Sequence, residues 1–337
     1  MLNFDPARFL RIQTGTVSIA RDLGTLVGRL VAEGADSLFF MGSGGAGILM
    51  QPATDLMRRA SNLPCHNVLC AEIVLTGHVA LGPKSVVIMP SLSGTTKESI
   101  AAMDYVKARG ATVISMTGHA DTPLAKGADH AFVNFAEDDT SCEMFYVTSL
   151  VAALAAMQAR GERSDYDRII AELAGLPQQL LAVKQAFEPR ADALARAIAA
   201  DGWHIITGSG AAWPQAYYYG MCILEEMQWI RTRPVHASDF FHGTLELVEK
   251  GVSVVVFAGE DETRPLTDRV IAFAKGYTDK LTVLDTRDLA TTGLSADLRA
   301  LLAPALLATV LERLSAHLEV MRGHPLVTRR YYKRVAY

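Results

Sequence analysis

The sequence predicts an α/β protein made of two tandem copies of one doubly wound domain, a parallel sheet with helices on both faces. Three observations carry this. LFFMGSGGAGI (38–48) recurs as HIITGSGAAWP (204–214), in each case a short apolar run leading into G-S-G and a small residue. SVVIMPSLSG (85–94) recurs as SVVVFAGEDE (253–262), and ATVISMTG (111–118) as KLTVLDTR (280–287). The pairs fall in the same order at nearly one offset, as a duplicated unit requires. Between these β-branched runs lie helical stretches, 96–109 closed by Gly110 and 264–275. Strands alternating with helices form parallel sheets.

The elements then fall into order. Residues 1–34 read as an N-terminal helical segment and 35–160 as the first copy. Residues 161–190 are more charged and read as a helical connector. The second copy fills 191–321 and ends in a helix near 300–320. The last stretch, RGHPLVTRRYYKRVAY (322–337), holds five Arg or Lys, one His and three Tyr. That aromatic density is expected of a segment packed on the fold near the active site rather than of a free tail.

Composition removes several functions. The chain has 337 residues, 50% hydrophobic and 20% charged, which is ample for two cores and too apolar for disorder. A mean hydropathy of +0.18 points to apolar surface buried between subunits. The net charge of -4, with no basic stripe, argues against nucleic acid as a partner. A small anion stays open, because one local cradle can hold it. Cys65, Cys70, Cys142 and Cys222 have neither CxxC nor zinc-ligand spacing, so they read as reduced core cysteines of a cytoplasmic protein, with no metal site. The N-terminus MLNFDPARFLR carries an early acid and no basic segment before an apolar one, so no signal peptide is expected. No run of about 20 apolar residues is present, so no membrane span is expected.

The loop SLSGTTKE (91–98) is the first candidate site. A strand, a hydroxyl-rich loop and a helix make a phosphate-binding geometry, since N–H groups at the helix start point outward and the helix dipole favours an anion. Gly94 admits close approach, and Ser91, Ser93 and Thr96 can donate to phosphate oxygens. The competing reading is an N-cap supplied by Thr95 or Ser93. The matching loop of the second copy, FAGEDETRP, carries Glu260, Asp261 and Glu262, which repel an anion. That asymmetry favours binding by the first copy only. MGSGG (41–45) on the neighbouring strand end completes the cradle.

SLSGTTKE resembles the S-x-S-G-x-T signature of the sugar isomerase (SIS) domain, which holds phosphosugars. The tandem copies resemble the isomerase half of glucosamine-6-phosphate synthase. The resemblance covers nearly the whole chain and implies two five-stranded parallel sheets, with Ser91, Ser93 and Thr96 at phosphate-binding positions and Ser43 and Gly44 in the facing loop. Leu92 departs from the polar residue common between the two serines.

Residues 202–230 contain only two formally charged side chains, Glu225 and Glu226. On an α-helix they point about 100° apart, so one can face a cleft while the other does not. The bland alternative is a salt bridge to Arg231 or Arg233. His242 follows in ASDFFHGTLELVEKG. By itself it reads as a core or surface histidine; beside a glutamate helix it suits aldose–ketose proton transfer, with the carboxylate moving a proton between C1 and C2 and the imidazole aiding ring opening.

EMQW, HASDFFHG and the closing HPLVTRRYYKRVAY resemble the phosphofructosamine deglycases, SIS enzymes that break down phosphorylated Amadori products. That resemblance implies catalytic roles for Glu226 and His242. It also implies a homodimer in which His242 serves the neighbouring subunit's site. Thr244 departs from the commoner FFHGP. The expected reaction is hydrolysis of a 6-phosphofructosamine to glucose 6-phosphate and an amine, with no metal or organic cofactor, because the substrate's own nitrogen forms the imine. The alternatives are an amino-sugar-phosphate deaminase or isomerase, and a sugar-phosphate sensor. Few residues precede the first repeat strand, which speaks against an N-terminal helix-turn-helix module of the kind sensors carry.

Overall fold

The computed structural model describes residues 1–332 and 334–336. It divides into two units, one of Pro6–Gln178 with Gly293–Leu298, the other of Met1–Asp5, Gln179–Thr292 and Arg299–Tyr337.

In the N-terminal unit the order is α1 (Pro6–Ala32), β1 (Ser37–Gly42), α2 (Gly45–Ile48), α3 (Gln51–Ala60), β2 (Cys65–Leu69), α4 (Cys70–Thr76), β3 (Ser85–Ser91), α5 (Lys97–Lys107), β4 (Thr112–Thr117), α6 (Pro123–Gly127), β5 (His130–Val133), α7 (Ser141–Ala159) and α8 (Tyr166–Leu173). The five strands are parallel in the order β2-β1-β3-β4-β5. β1 and β3 are buried at every position. Their unbroken apolar runs, rather than alternation, are what a sheet covered on both faces demands. Phe39, Val87, Met89, Met103, Val113 and Leu124 pack together as one core on this sheet.

The C-terminal unit receives the chain along α9 (Leu176–Ala199). It then runs β6 (Trp203–Gly208), α10 (Trp213–Tyr218), β7 (Arg231–His236), β8 (Ser253–Ala258), α11 (Arg264–Tyr277), β9 (Lys280–Asp285) and α12 (Ala296–Arg322). Its sheet is parallel in the order β7-β6-β8-β9. It has four strands where five are expected from the sequence. After β9 the chain reads TRDLATTGLSAD, which offers no apolar run to extend the sheet, and passes into α12. Pro234 sits in β7, an edge strand, where its missing N–H leaves no ladder bond broken in the sheet interior.

Among the described residues two helices, Ser141–Ala159 and Ala296–Arg322, are long and apolar enough to cross a membrane, against the expectation from the sequence. Their most apolar windows are 89% and 83% buried inside the fold. A helix apolar all round is a core helix when protein surrounds it.

A charged cluster ties the first residues of the chain into the C-terminal unit. Arg313 is fully buried and donates to Glu188 through Nε at 2.7 Å and Nη2 at 3.1 Å. Glu188 also accepts from the Leu2 N–H at 2.8 Å and lies 3.1 Å from His317 Nε2. Burial pushes the Glu188 carboxyl up, but the hydrogen bonds and charge of Arg313, with the Leu2 N–H and His317, outweigh it and bring it down to about 2. A depressed carboxylate stabilises the fold above its unfolded value of 4.5, and that contribution disappears as the pH falls toward about 2. Glu188→Gln is therefore expected to lower stability at pH 7 by about 1–3 kcal/mol, and to flatten the fall of Tm between pH 4.5 and 2. Parallel Tm–pH curves for the two proteins would contradict this.

Candidate active site

β1 and β3 lie side by side, yet the chain leaves β1 toward β2 and β3 toward β4. Such a reversal opens a crevice beyond the carboxyl ends, the usual ligand position in open α/β sheets. Both candidate loops leave the sheet there. Gly44 stands at the start of α2 with φ 54° and ψ −133°, backbone that favours glycine. Ser43, half-buried, points its Oγ to within 3.4 Å of Ser99 Oγ. Gly94 has φ +61°, and a Cβ there would lie 2.3 Å from Thr122 Oγ1, so two separate constraints require glycine.

The hydroxyls divide by task. Ser91 is buried and its Oγ accepts the Gly94 N–H at 3.2 Å, so it shapes the loop. Ser93, half-buried, accepts from Thr95 Oγ1 at 3.1 Å. Thr96, not Thr95 or Ser93, occupies the N-cap of α5, and no side chain caps that helix. Its Oγ1 lies 3.5 Å from Ser91 Oγ instead. The first N–H groups of α5 thus keep the orientation that suits an anion. Below the cradle, burial pushes the Cys70 thiol above its ordinary value, with Ser43 and Ser99 partly offsetting it. It remains a neutral group there, 3.8 Å from Ser99 Oγ, and adds no charge against an anion.

The second copy has the same switch point between β6 and β8, and protein fills it. Asp261 occupies the position that Ser93 holds in the first copy. Its carboxylate accepts the Ala211 N–H at 2.8 Å, the Thr263 N–H at 2.9 Å and the Thr263 hydroxyl at 2.5 Å. Gly210, with φ +51°, has no room for a side chain, since a Cβ would lie 2.3 Å from Asp261 Oδ2. Sequence reasoning expected Asp261 to repel an anion. The structure adds that its carboxylate itself takes up the donors facing this space.

The glutamate segment departs from a regular α-helix. α10 continues as a π-helix over Tyr219–Glu225, with Glu226 N–H donating to Met221 O at 3.1 Å. The expected 100° step between Glu225 and Glu226 is therefore not the local geometry, but their directions still diverge. Glu225 is exposed and accepts from Thr232 N–H at 3.2 Å and Thr232 Oγ1 at 2.6 Å. Glu226 is half-buried and accepts from Arg329 Nε at 2.9 Å. Neither Arg231 nor Arg233 is that partner. Arg233 Nε donates to the buried Thr244 hydroxyl at 3.1 Å, a contact that proline at this position could not provide. His242 ends a short 3-10 turn, Phe240–His242, and is exposed. Sequence reasoning missed Ser99, Thr122 and the pairing of Arg329 with Glu226. The Thr-Pro pair opening α6 was the one local signal, and Thr122 does accept the Ala125 N–H at 3.3 Å.

Comparison with known proteins decides the family. The SIS domain model matches residues 33–160. The chain is 32% identical to the fructosamine deglycase FrlB of Bacillus subtilis (strain 168), over 96% of this chain and 99% of the relative. It belongs to the SIS-domain family of fructosamine deglycases. The fructoselysine 6-phosphate deglycase of Escherichia coli O157:H7 is 28% identical over 91% of this chain and 88% of its own length. A Bacillus subtilis structure described as a phosphosugar isomerase superposes with a TM-score of 0.88 at 30% identity, covering 96% of this chain and 99% of that one.

The filled and open cradles predict different stability costs. Asp261→Ala leaves two N–H groups and a hydroxyl without their acceptor and should cost about 1–3 kcal/mol, while Ser93→Ala should cost under about 1. Urea unfolding of the two variants measures this, and equal losses would contradict the distinction.

Proposed function

We propose that this chain hydrolyses a 6-phosphofructosamine to glucose 6-phosphate and an amine. The observation that carries the reading is the end-to-end similarity to a fructosamine deglycase, on a chain that keeps both a half-buried Glu226 and an exposed FFHG histidine. The phosphate is held at the first cradle by Ser93 and Thr96 hydroxyls, by N–H groups of Gly44 and the start of α5, and by a loop shaped through Ser43 and Ser91. The open first cradle and the carboxylate-filled second one support a single phosphate per chain.

His242 assists ring opening. Glu226 takes a proton from C1, leaving an enaminol, and returns one to C2. This converts the C1–N bond to an imine, which water cleaves to the aldehyde and the free amine. The open-chain C2 carbonyl takes up the electron pair when C1 loses its proton, and the nitrogen lone pair then forms the C1 imine as C2 is protonated, so the protein's part is orientation and proton transfer. A homodimer that lends His242 to the partner's site fits the exposure of that residue. Cys65, Cys70, Cys142 and Cys222 form no disulfide among the described residues, which is in keeping with a reducing compartment such as the cytoplasm.

Incubation with fructoselysine 6-phosphate and, separately, glucosamine 6-phosphate distinguishes deglycase from deaminase. Glucose 6-phosphate from the first is expected, and ammonia with fructose 6-phosphate from the second alone would overturn the reading. Ser93→Ala with Thr96→Ala should weaken phosphosugar binding at least about tenfold, each lost charge-assisted donor being worth about 1.5–3 kcal/mol. Unchanged affinity by calorimetry would remove the loop from the site. Glu226→Gln should lower turnover by about 10²–10⁴ with binding retained, and Glu225→Gln far less. Mixed Glu226→Gln and His242→Asn subunits should recover about a quarter of normal turnover, since random exchange leaves one intact site in each mixed dimer. No recovery after confirmed exchange would keep both residues in one subunit's site or make His242 structural.

A further inference from the structure

We propose that Arg329 is a positioning residue for Glu226, a fixed cation that aims the carboxylate. The inference rests on the assignment of Glu226 as the proton carrier and extends it to the closing segment of the chain.

The geometry begins with what holds Arg329. Its Nε donates to Glu226 Oε1 at 2.9 Å, while Nη1 donates to the main-chain carbonyls of Leu326 at 2.5 Å and Thr328 at 3.1 Å. A planar guanidinium bonded on one side to main chain has little freedom to turn. Its side chain is 13% exposed against 33% for Glu226, so the cation is the better anchored of the two.

The segment that carries Arg329 is itself fastened to the residues just after Glu226. Arg322 Nη1 donates to Gln228 O at 2.6 Å, and buried Gln228 returns a bond from Nε2 to His324 O at 2.7 Å. The His324 ring meets Trp229 edge-on with centroids 4.6 Å apart, and the Arg330 guanidinium lies 4.1 Å over the same indole. Leu326 N–H donates to Glu319 at 3.1 Å. Trp229 has φ 54°, so the main chain turns sharply where this segment docks. The Arg329 guanidinium is thus fixed by carbonyls of its own segment and turned toward the glutamate.

The chemistry asks for such a group. Glu226 follows a π-helical stretch, an irregularity that recurs at functional sites. A carboxylate that must reach C1 and then C2 depends on orientation, and small misplacement of a reacting group costs orders of magnitude in rate.

The test uses full-length Arg329→Met, Arg329→Lys, Glu226→Gln and the Glu226→Gln/Arg329→Met double variant, with fructoselysine 6-phosphate as substrate and Tm as the check on folding. Arg329→Met should lower kcat about tenfold or more with KM within about threefold, the split expected when an interaction acts on the reacting group. Arg329→Lys should recover part of the loss. Millimolar guanidinium should restore Arg329→Met and leave Glu226→Gln unchanged. The double variant should be no slower than Glu226→Gln, because Arg329 acts through that residue. A normal kcat in Arg329→Met beside an inactive Glu226→Gln overturns the inference alone. So does a rise in KM at constant kcat, which would make Arg329 a substrate contact. A loss of kcat that neither Lys nor guanidinium repairs makes the contact merely structural. An active Glu226→Gln removes the assignment of the proton carrier, and this inference with it.

Discussion

The reversal of chain direction between two adjacent parallel strands governs both halves of this protein. Strands β1 and β3, and again β6 and β8, share a hydrogen-bonded edge while their loops leave in opposite directions. Main-chain N–H groups then converge on a space that no regular element can fill, and an acceptor has to occupy it. In the C-terminal unit Asp261 does so with three hydrogen bonds. In the N-terminal unit the corresponding position is Ser93, too short and uncharged to take that part. One fold thus carries the same cradle in two conditions, closed by its own carboxylate in one copy and, in the proposed function, taken by the substrate phosphate in the other.

The surroundings of Glu226, the proposed proton carrier, are built on a different principle. Glu226 lies at the end of a π-helical stretch and is held from outside by Arg329 on the closing segment. An exposed ion pair is worth little, but one whose cation is fixed by main-chain carbonyls sets direction as well as charge. The buried cluster of Arg313 and Glu188 shows the same use of a guanidinium in the C-terminal unit, there to secure the first residues of the chain.

Much of this was legible in the sequence because it is local or repeated. The duplicated strand-and-glycine pattern gave two parallel sheets, and the contrast of SLSG with GEDE marked the two cradles as different, though not that Asp261 fills the second. Glu226 and His242 stood out because their surroundings are apolar and aromatic. What escaped depended on distance or on backbone detail. Arg329 is 103 residues from its partner, beyond any periodicity. The missing strand of the second sheet required knowing that TRDLATTGLSAD would lead straight into α12. The π-helical widening before Glu226 leaves no mark in residue spacing, and the shift of the N-cap to Thr96 turns on one residue of loop geometry.

The central claim is that a C1 hydrogen is removed and C2 gains one before the amine leaves. Fructoselysine 6-phosphate carrying two deuteriums on C1 tests this in a single turnover experiment read by NMR and mass spectrometry. The account predicts glucose 6-phosphate with one deuterium at C1 and the other at C2 or lost to solvent. Fructose 6-phosphate that retains both deuteriums on C1 would mean the amine is displaced without proton transfer, and would contradict it.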